Sequence, residues 1–120
     1  GLTKLVTDTT AEGAGGLAIL EVDRVRLYGR DAATSVYTIL GDAAYAATDE
    51  FVELKRVHDR FLQHYRAREF DKAGDDLALL RDMGPPGLAQ LYRIYGHRIA
   101  HLSADPPGDD WDGTYTAEHK

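Results

Sequence analysis

His97 and His101 have the clearest spacing for metal chemistry in this chain. They lie four residues apart in a stretch with helical periodicity, so both imidazoles would project from one face of a helix. A zinc site generally takes at least three protein ligands. The chain has no cysteine, and no carboxylate accompanies the pair in the same turn. The pattern favours two ordinary helix histidines over a metal site.

A glycine cluster near the N-terminus has the composition of a phosphate-binding loop. It consists of Gly13, Gly15 and Gly16. A phosphate loop also requires a Lys-Ser or Lys-Thr pair and the start of a helix directly after the glycines. An apolar, strand-like run follows here instead. We interpret the cluster as a flexible turn.

Paired aspartates and one further histidine complete the set of chemically capable residues. Neither Asp75-Asp76 nor Asp109-Asp110 has the oxygen-ligand spacing of a calcium loop, so we expect helix-capping and solvated charges. His58 lies on an apolar stripe, where a hydrogen-bonded core histidine is the usual outcome. No Ser-His-Asp arrangement has local support. The sequence predicts no catalytic residue of its own.

Length and charge limit the class of protein. The 120 residues carry a formal charge of -6, which argues against a nucleic-acid partner. They suffice for one modest domain, or for the end of a larger chain. No apolar run reaches the length of a membrane span, so we expect no direct membrane contact by this segment. The lack of cysteine is compatible with the cytoplasm, which is the expected location.

The elements that would position these residues change type near residue 41. The stretch Val25–Gly41 contains two apolar runs around a polar centre at 29–31, which predicts a β-hairpin. Earlier β-prone runs, at 3–7 and 17–28, extend the same sheet. In the second of these runs the apolar positions change face near Asp23, which predicts a bulge or a turn.

After residue 41 the apolar residues recur with helical spacing in three stretches. Thr48 or Asp49 can cap the first helix, Asp71 is the expected cap of the second, and Gly84 is its expected end. The three predicted apolar stripes are Ala47, Phe51, Leu54, His58, Phe61 and Tyr65; Ala73, Leu77, Leu80 and Met83; and Leu88, Leu91, Tyr92, Tyr95, Ile99 and Leu102. The predicted fold class is α+β, a short N-terminal β-sheet followed by a three-helix segment.

The order of these motifs resembles the C-terminal part of bacterial class III adenylate or guanylate cyclases. The hairpin is similar to the last hairpin of their catalytic domain. The segment Arg68–Ala73 resembles the join of tetratricopeptide-like helical repeats, and Asp105–Gly113 fits the Pro-Pro-x-x-Asp-Trp-Asp-Gly signature that follows those repeats. The resemblance implies three parts, which are 1–41 as the end of the catalytic domain, 42–104 as a helical extension and 105–120 as a tail with a Trp-Asp-Gly turn.

For the parent protein, the resemblance implies conversion of ATP to cyclic AMP and pyrophosphate in signal transduction. The family's Mg²⁺ or Mn²⁺ ligands and transition-state residues would lie upstream of Gly1, so this segment alone is expected to be inactive. The implied partners are its own upstream catalytic domain and a second copy, because class III sites form between two catalytic domains. The parent would be cytoplasmic, with a tether to the inner membrane through upstream segments.

One position of the family's substrate site falls within this chain. The family's lysine before the hairpin glycine, which contacts substrate phosphates, is replaced here by Tyr28, and a tyrosine supplies no charge. Arg30 can supply that charge, or it can be a solvated turn residue. In the tail, Trp111 and Tyr115 are expected to dock on a groove, because two exposed aromatic side chains would be unusual.

Two functions from different classes therefore remain open. In the first, the segment is a packing, dimerisation or regulatory element of an adenylate cyclase. In the second, it is a helical protein–protein interaction module with no catalytic role, whose strands form a structural cap.

Overall fold

The structure is a computed structural model that describes residues 5–7, 16–26, 34–84, 87–108, 111 and 113–116, with the backbone alone at 5–7, 115 and 116. The strands of the described part are β1 (Leu5–Thr7), β2 (Ala18–Arg26), β3 (Thr34–Gly41) and β4 (Tyr115–Thr116). Its helices are α1 (Ala43–Ala46), α2 (Asp49–Arg66), α3 (Phe70–Met83) and α4 (Ala89–Ala104). The predicted α+β class, a sheet followed by a three-helix segment, is confirmed, with α1 as an additional single turn.

The described strands form one sheet in the order β1-β3-β2-β4. β2 and β3 are antiparallel neighbours, which confirms the predicted hairpin, although its turn lies outside the described residues. β1 pairs antiparallel with β3. β4 returns from the tail and pairs parallel with β2 at Val25 and Arg26. The last described strand is therefore added beside the hairpin after all the helices.

Strand β2 contains a bulge. Glu21 pairs with Tyr37 and Asp23 pairs with Val36, which leaves Val22 as an extra residue on β2. An extra residue of this kind turns the following side chains to the opposite face. The predicted change of face near Asp23 is confirmed.

Local sequence signals account for the start of α2 and the end of α3. The hydroxyl of Thr48 caps α2 by accepting a 3.2 Å hydrogen bond from the backbone N–H of Phe51. Gly84 ends α3 with a left-handed φ of 59°, which glycine adopts without steric cost. The predicted cap at Asp71 is wrong. α3 begins at Phe70 without a side-chain cap, and Asp71 lies in the first turn, where a carboxylate interacts favourably with the helix dipole.

Sheet and helices share one apolar core. Ala18, Leu20 and Val22 contribute the buried face of β2. From the helices the core takes most of the predicted stripes, namely Phe51, Leu54, Phe61, Tyr65, Ala73, Leu77, Leu80, Leu88, Leu91, Tyr92 and Tyr95. Val57 and Leu62 widen the stripe of α2, whereas Ala47 is exposed because it precedes the helix. Burial of each large side chain contributes roughly 1.5–3 kcal/mol, so this core is the main attachment of the strands to the helices.

The helices are amphipathic rather than uniformly apolar. The longest, α2, has 18 residues and carries charged side chains along its exposed face. Among the described residues, no helix is both long enough and apolar enough to cross a membrane.

Candidate interaction site at the edge of strand β2

Helices α2 and α4 supply hydrogen-bond donors to the bulge of β2. The imidazole Nε2 of His58, on α2, lies 2.7 Å from the backbone carbonyl oxygen of Glu21. The hydroxyl of Tyr95, on α4, donates to the carbonyl oxygen of Val22 at 2.7 Å. A buried carbonyl without a donor costs about 1–3 kcal/mol, so these two side chains stabilise the bulge by satisfying its backbone carbonyls.

The contacts of His58 define its tautomer, and burial favours the neutral ring. A carbonyl oxygen only accepts, so Nε2 carries the proton, and Nδ1 accepts from the hydroxyl of Tyr92 at 3.0 Å. The ring is fully buried, and burial lowers the pKa of His58, although the hydrogen bond to Glu21 opposes that shift. Burial also raises the pKa of Tyr92 well above its ordinary value. The expectation of a hydrogen-bonded core histidine is confirmed.

Asp23, the residue after the bulge, binds Arg98 of α4. Two guanidinium nitrogens of Arg98 donate to the two carboxylate oxygens at 3.1 and 3.0 Å. The guanidinium also lies 5.2 Å from the centre of the Tyr95 ring, within the range of a cation–π contact. Burial lowers the pKa of Arg98, but the hydrogen bonds and the charge of Asp23 outweigh burial and raise it. Burial, with the nearby carboxylate of Asp23, raises the pKa of Tyr95.

Three consecutive residues of β2, Glu21, Val22 and Asp23, are thus held by His58, Tyr95 and Arg98. We call these six residues the β2 brace. The strand residues are adjacent in sequence, whereas their partners come from two helices. Such fixed, short contacts are suited to holding a strand in position.

A second ion pair joins the sheet to the end of α2. Arg66 donates to both carboxylate oxygens of Glu21, at 3.3 and 2.9 Å. Gly113 of the tail packs directly on the Arg66 side chain with φ +87°, so a side chain at this position would collide with Arg66 and strain the backbone. The tail, α2 and β2 therefore meet at one place.

Trp111 fixes the tail to the helices. Its ring centre lies 5.3 Å from that of Tyr65 on α2 and 5.8 Å from that of Phe70 at the start of α3. These are the tilted and edge-on geometries that aromatic rings prefer. Trp111 thus packs on two aromatic rings of the helices, whereas only the backbone of Tyr115 is described, paired with Val25. The two candidate phosphate contacts, Tyr28 and Arg30, lie outside the described residues.

Asp76 corrects one expectation from the sequence. Its side chain is buried, not solvated, and it does not cap a helix. It accepts from Arg60 Nε at 2.9 Å and lies 2.7 Å from His64 Nδ1, which links α3 to α2. The reason is position, because residue 76 falls on the buried face of α3 between Ala73 and Leu80. Asp75, one residue earlier, is exposed as expected.

The histidine pair on α4 has no metal-site geometry in the described residues. His97 and His101 are both exposed. No group of three potential metal ligands occurs among the residues that the structure describes.

The partners within the β2 brace were not predicted from sequence. The change of face near Asp23 indicated the bulge, and the stripe of α4 contained Tyr95. No spacing rule connects Arg98 with Asp23, because the pairing depends on how α4 packs against β2. For Asp76, a helical count from Ala73 and Leu80 would have indicated the buried face.

No family model, curated protein or solved structure matches the chain.

Proposed function

We propose that this chain is the C-terminal part of a class III adenylate cyclase, in which the helices and tail hold the last hairpin of the catalytic domain. Alone, the chain is inactive, and its role is packing, dimerisation or regulation. The single observation that carries the proposal is the β2 brace, in which two helices hold three consecutive residues of the hairpin strand.

The position of the brace supports this role. The cyclase resemblance assigns substrate-phosphate contact to the hairpin turn, at Tyr28 and Arg30. The brace holds Asp23, which precedes that turn by a few residues on the same strand. A shift of α4 would therefore move the strand that carries the turn. Misplacement of a reacting group by about 1 Å can cost a hundredfold in rate, so a hairpin held in this way matters for activity.

One face of the sheet is partly exposed, which supports the proposal that a further domain packs on it. Ile19 and Ile39 pair on the face opposite to the buried Leu20 and Thr38, and both are only partly covered. A cavity of about 1090 Å³ opens beside this face, lined in part by Tyr37. We propose that the upstream catalytic domain of the same polypeptide covers this face, and that the working enzyme is a homodimer.

The metal ions of the family do not fit the described part of the chain. Two-metal chemistry requires clustered carboxylates, and no group of three potential ligands is found among the described residues. Mg²⁺ or Mn²⁺ would be bound by the upstream domain of the parent. The contribution of this chain would be to orient the hairpin.

The test is cyclic AMP production by the whole gene product with ATP and Mg²⁺ or Mn²⁺. It is compared with a version that ends at Gly41 and with the single variant Arg98→Ala, which keeps all helices. We expect the truncation to abolish activity and Arg98→Ala to reduce it. The matched control is Arg56→Ala, which removes an exposed ion pair on α2. This variant should leave activity unchanged.

A helical protein–protein interaction module is the second candidate, favoured by exposed apolar side chains on the helices such as Val52 and Leu79. Cyclic AMP production that persists after truncation at Gly41 would favour this function. Absence of activity from the whole gene product would instead indicate a degenerate cyclase retained for its interactions, with Tyr28 as the first position to examine.

A further inference from the structure

A groove lies between the start of α2 and the end of α3, at the opposite end of α2 from Trp111. Its volume is about 770 Å³, within the range of sites that enclose a ligand or a few side chains. Leu40, Tyr45 and Leu54 form its apolar lining, and Met83 and Gly84 border it where α3 ends. We call it the acidic groove, for the charges described below.

Exposed apolar side chains continue from this groove along α3. Met83 is 39% exposed, and Leu79, one helical turn earlier, is 48% exposed. Residues four apart lie on the same face of a helix, so the two form a short apolar strip. Methionine is flexible and adapts its shape to different partners, which suits a binding surface.

The rim of the groove is negatively charged. It contains the carboxylates of Asp42, Glu50 and Glu53. Arg56 donates to both oxygens of Glu53, at 2.8 and 2.6 Å, and so offsets one of the three charges. The N-terminus of α2 offsets roughly half a charge more. The rim therefore stays negative, in a chain whose formal charge is -6.

We infer that the acidic groove binds a short basic amphipathic segment of a partner protein. An apolar side chain of the partner enters the lining at Tyr45 and Leu54, and its neighbour packs on Met83. A Lys or Arg next to that anchor pairs with Glu50. This chemistry resembles other recognition of amphipathic helices by grooves, in which apolar anchors supply affinity and charges select the partner. The acidic groove shares no residue with the β2 brace. An experiment can therefore disprove the role proposed for one without disproving the role of the other.

The experiment uses the chain with a synthetic amphipathic peptide of roughly 12 residues, with Leu and Lys at helical spacing. A second peptide carries Glu in place of every Lys. Binding is followed by the backbone amide NMR signals of the chain. We expect the basic peptide to shift signals of Leu40, Tyr45, Glu50 and Met83, and the acidic peptide to leave them in place.

Two variants and two matched controls locate the site. Glu50→Lys and Met83→Ser should each weaken binding of the basic peptide about tenfold. Asp105→Lys makes the same charge reversal near the end of α4, and Ile94→Ser removes an exposed apolar side chain outside the groove. Both controls should bind like the unaltered chain. All four positions are exposed or near the surface, so each variant should fold.

Two results would overturn the inference. If Glu50→Lys and Asp105→Lys weaken peptide binding equally, the affinity depends on the overall charge of the chain and not on the groove. A peptide-free chain that self-associates by sedimentation, with Met83→Ser restoring the monomer, would mean that a second copy occupies the groove.

Discussion

The guanidinium of Arg98 donates two hydrogen bonds to the carboxylate of Asp23 across 75 residues of sequence. Both side chains are less than one fifth exposed. Partly buried, two-point ion pairs of this kind contribute more to stability than exposed pairs, because water screens them less. The pair therefore links α4 to the β2 bulge.

Replacement of Arg98 by Ala should destabilise the chain by about 2 kcal/mol, because a charged hydrogen-bond acceptor loses its donors. The measurement is urea unfolding followed by circular dichroism. Arg56→Ala, which breaks a solvent-exposed pair with Glu53, should leave the unfolding midpoint unchanged. Equal midpoints for the two variants would contradict the role given to Arg98.

Replacement of Asp76 by Ala should cost about 3 kcal/mol, because Arg60 and His64 lose a buried partner. Asp75 is the natural control, since it is adjacent in sequence but exposed. Asp75→Ala should change the free energy of unfolding by no more than about 0.5 kcal/mol. Thermal unfolding of both variants at neutral pH measures the difference. Similar losses of stability in the two variants would contradict the prediction that the buried contacts of Asp76 stabilise the chain.

The stability of the chain should fall as the pH decreases below about 6.5, the ordinary pKa of histidine. Burial lowers the pKa of His58 in the folded chain, so the unfolded chain binds a proton that the folded chain does not. The contribution of neutral His58 to the free energy of unfolding is therefore fully present above about pH 6.5. Below that pH it declines, by at most about 1.4 kcal/mol per pH unit. Unfolding between pH 7.5 and 5 measures this slope.

The variant His58→Gln checks the assignment of that slope. It should lower stability at neutral pH, because the contacts with Glu21 and Tyr92 are altered, and it should flatten the decline between pH 6.5 and 5. A variant that keeps the full slope would show that another group is responsible.

Replacement of Trp111 by Ala should destabilise the chain by about 2 kcal/mol, less than the 3–5 kcal/mol of a fully buried aromatic residue, because Trp111 is only partly covered. Trp111→Phe keeps an aromatic ring against Tyr65, so it should destabilise the chain less than Trp111→Ala. Urea unfolding followed by circular dichroism gives both values. Trp111 is the single tryptophan of the chain, so its fluorescence in the unaltered protein reports the docking of the tail.

Periodicity in the sequence predicted most of the local structure, because burial repeats with the geometry of the element. The stripe from Phe51 to Tyr65 marks the buried face of α2, and the change of face near Asp23 marks the bulge. Thr48 acts through its side-chain hydroxyl and Gly84 through its own backbone conformation, so both signals are local to the helix ends. Asp71 failed as a cap, because Phe70 packs into the core and the helix begins two residues earlier than a cap at Asp71 would place it.

Contacts between elements were largely invisible in the sequence. The partners of Asp23 and Glu21 come from different helices, and many arrangements of those helices are compatible with the same stripes. The pairing of β4 with β2 was missed for a related reason. The tail sequence indicates aromatic docking, whereas two paired residues leave no alternation to detect.

The parallel pairing of β4 with β2 has a consequence for the order of folding. β4 follows every other described element in the chain, so it leaves the ribosome after them. The pairing between β2 and β4 can therefore form only after the helices have been synthesised. Contacts between distant parts of a sequence form late, because the chain between them must first be ordered. We expect a nascent chain to acquire its helices before its final strand, and proteases to find the tail first when the native state opens.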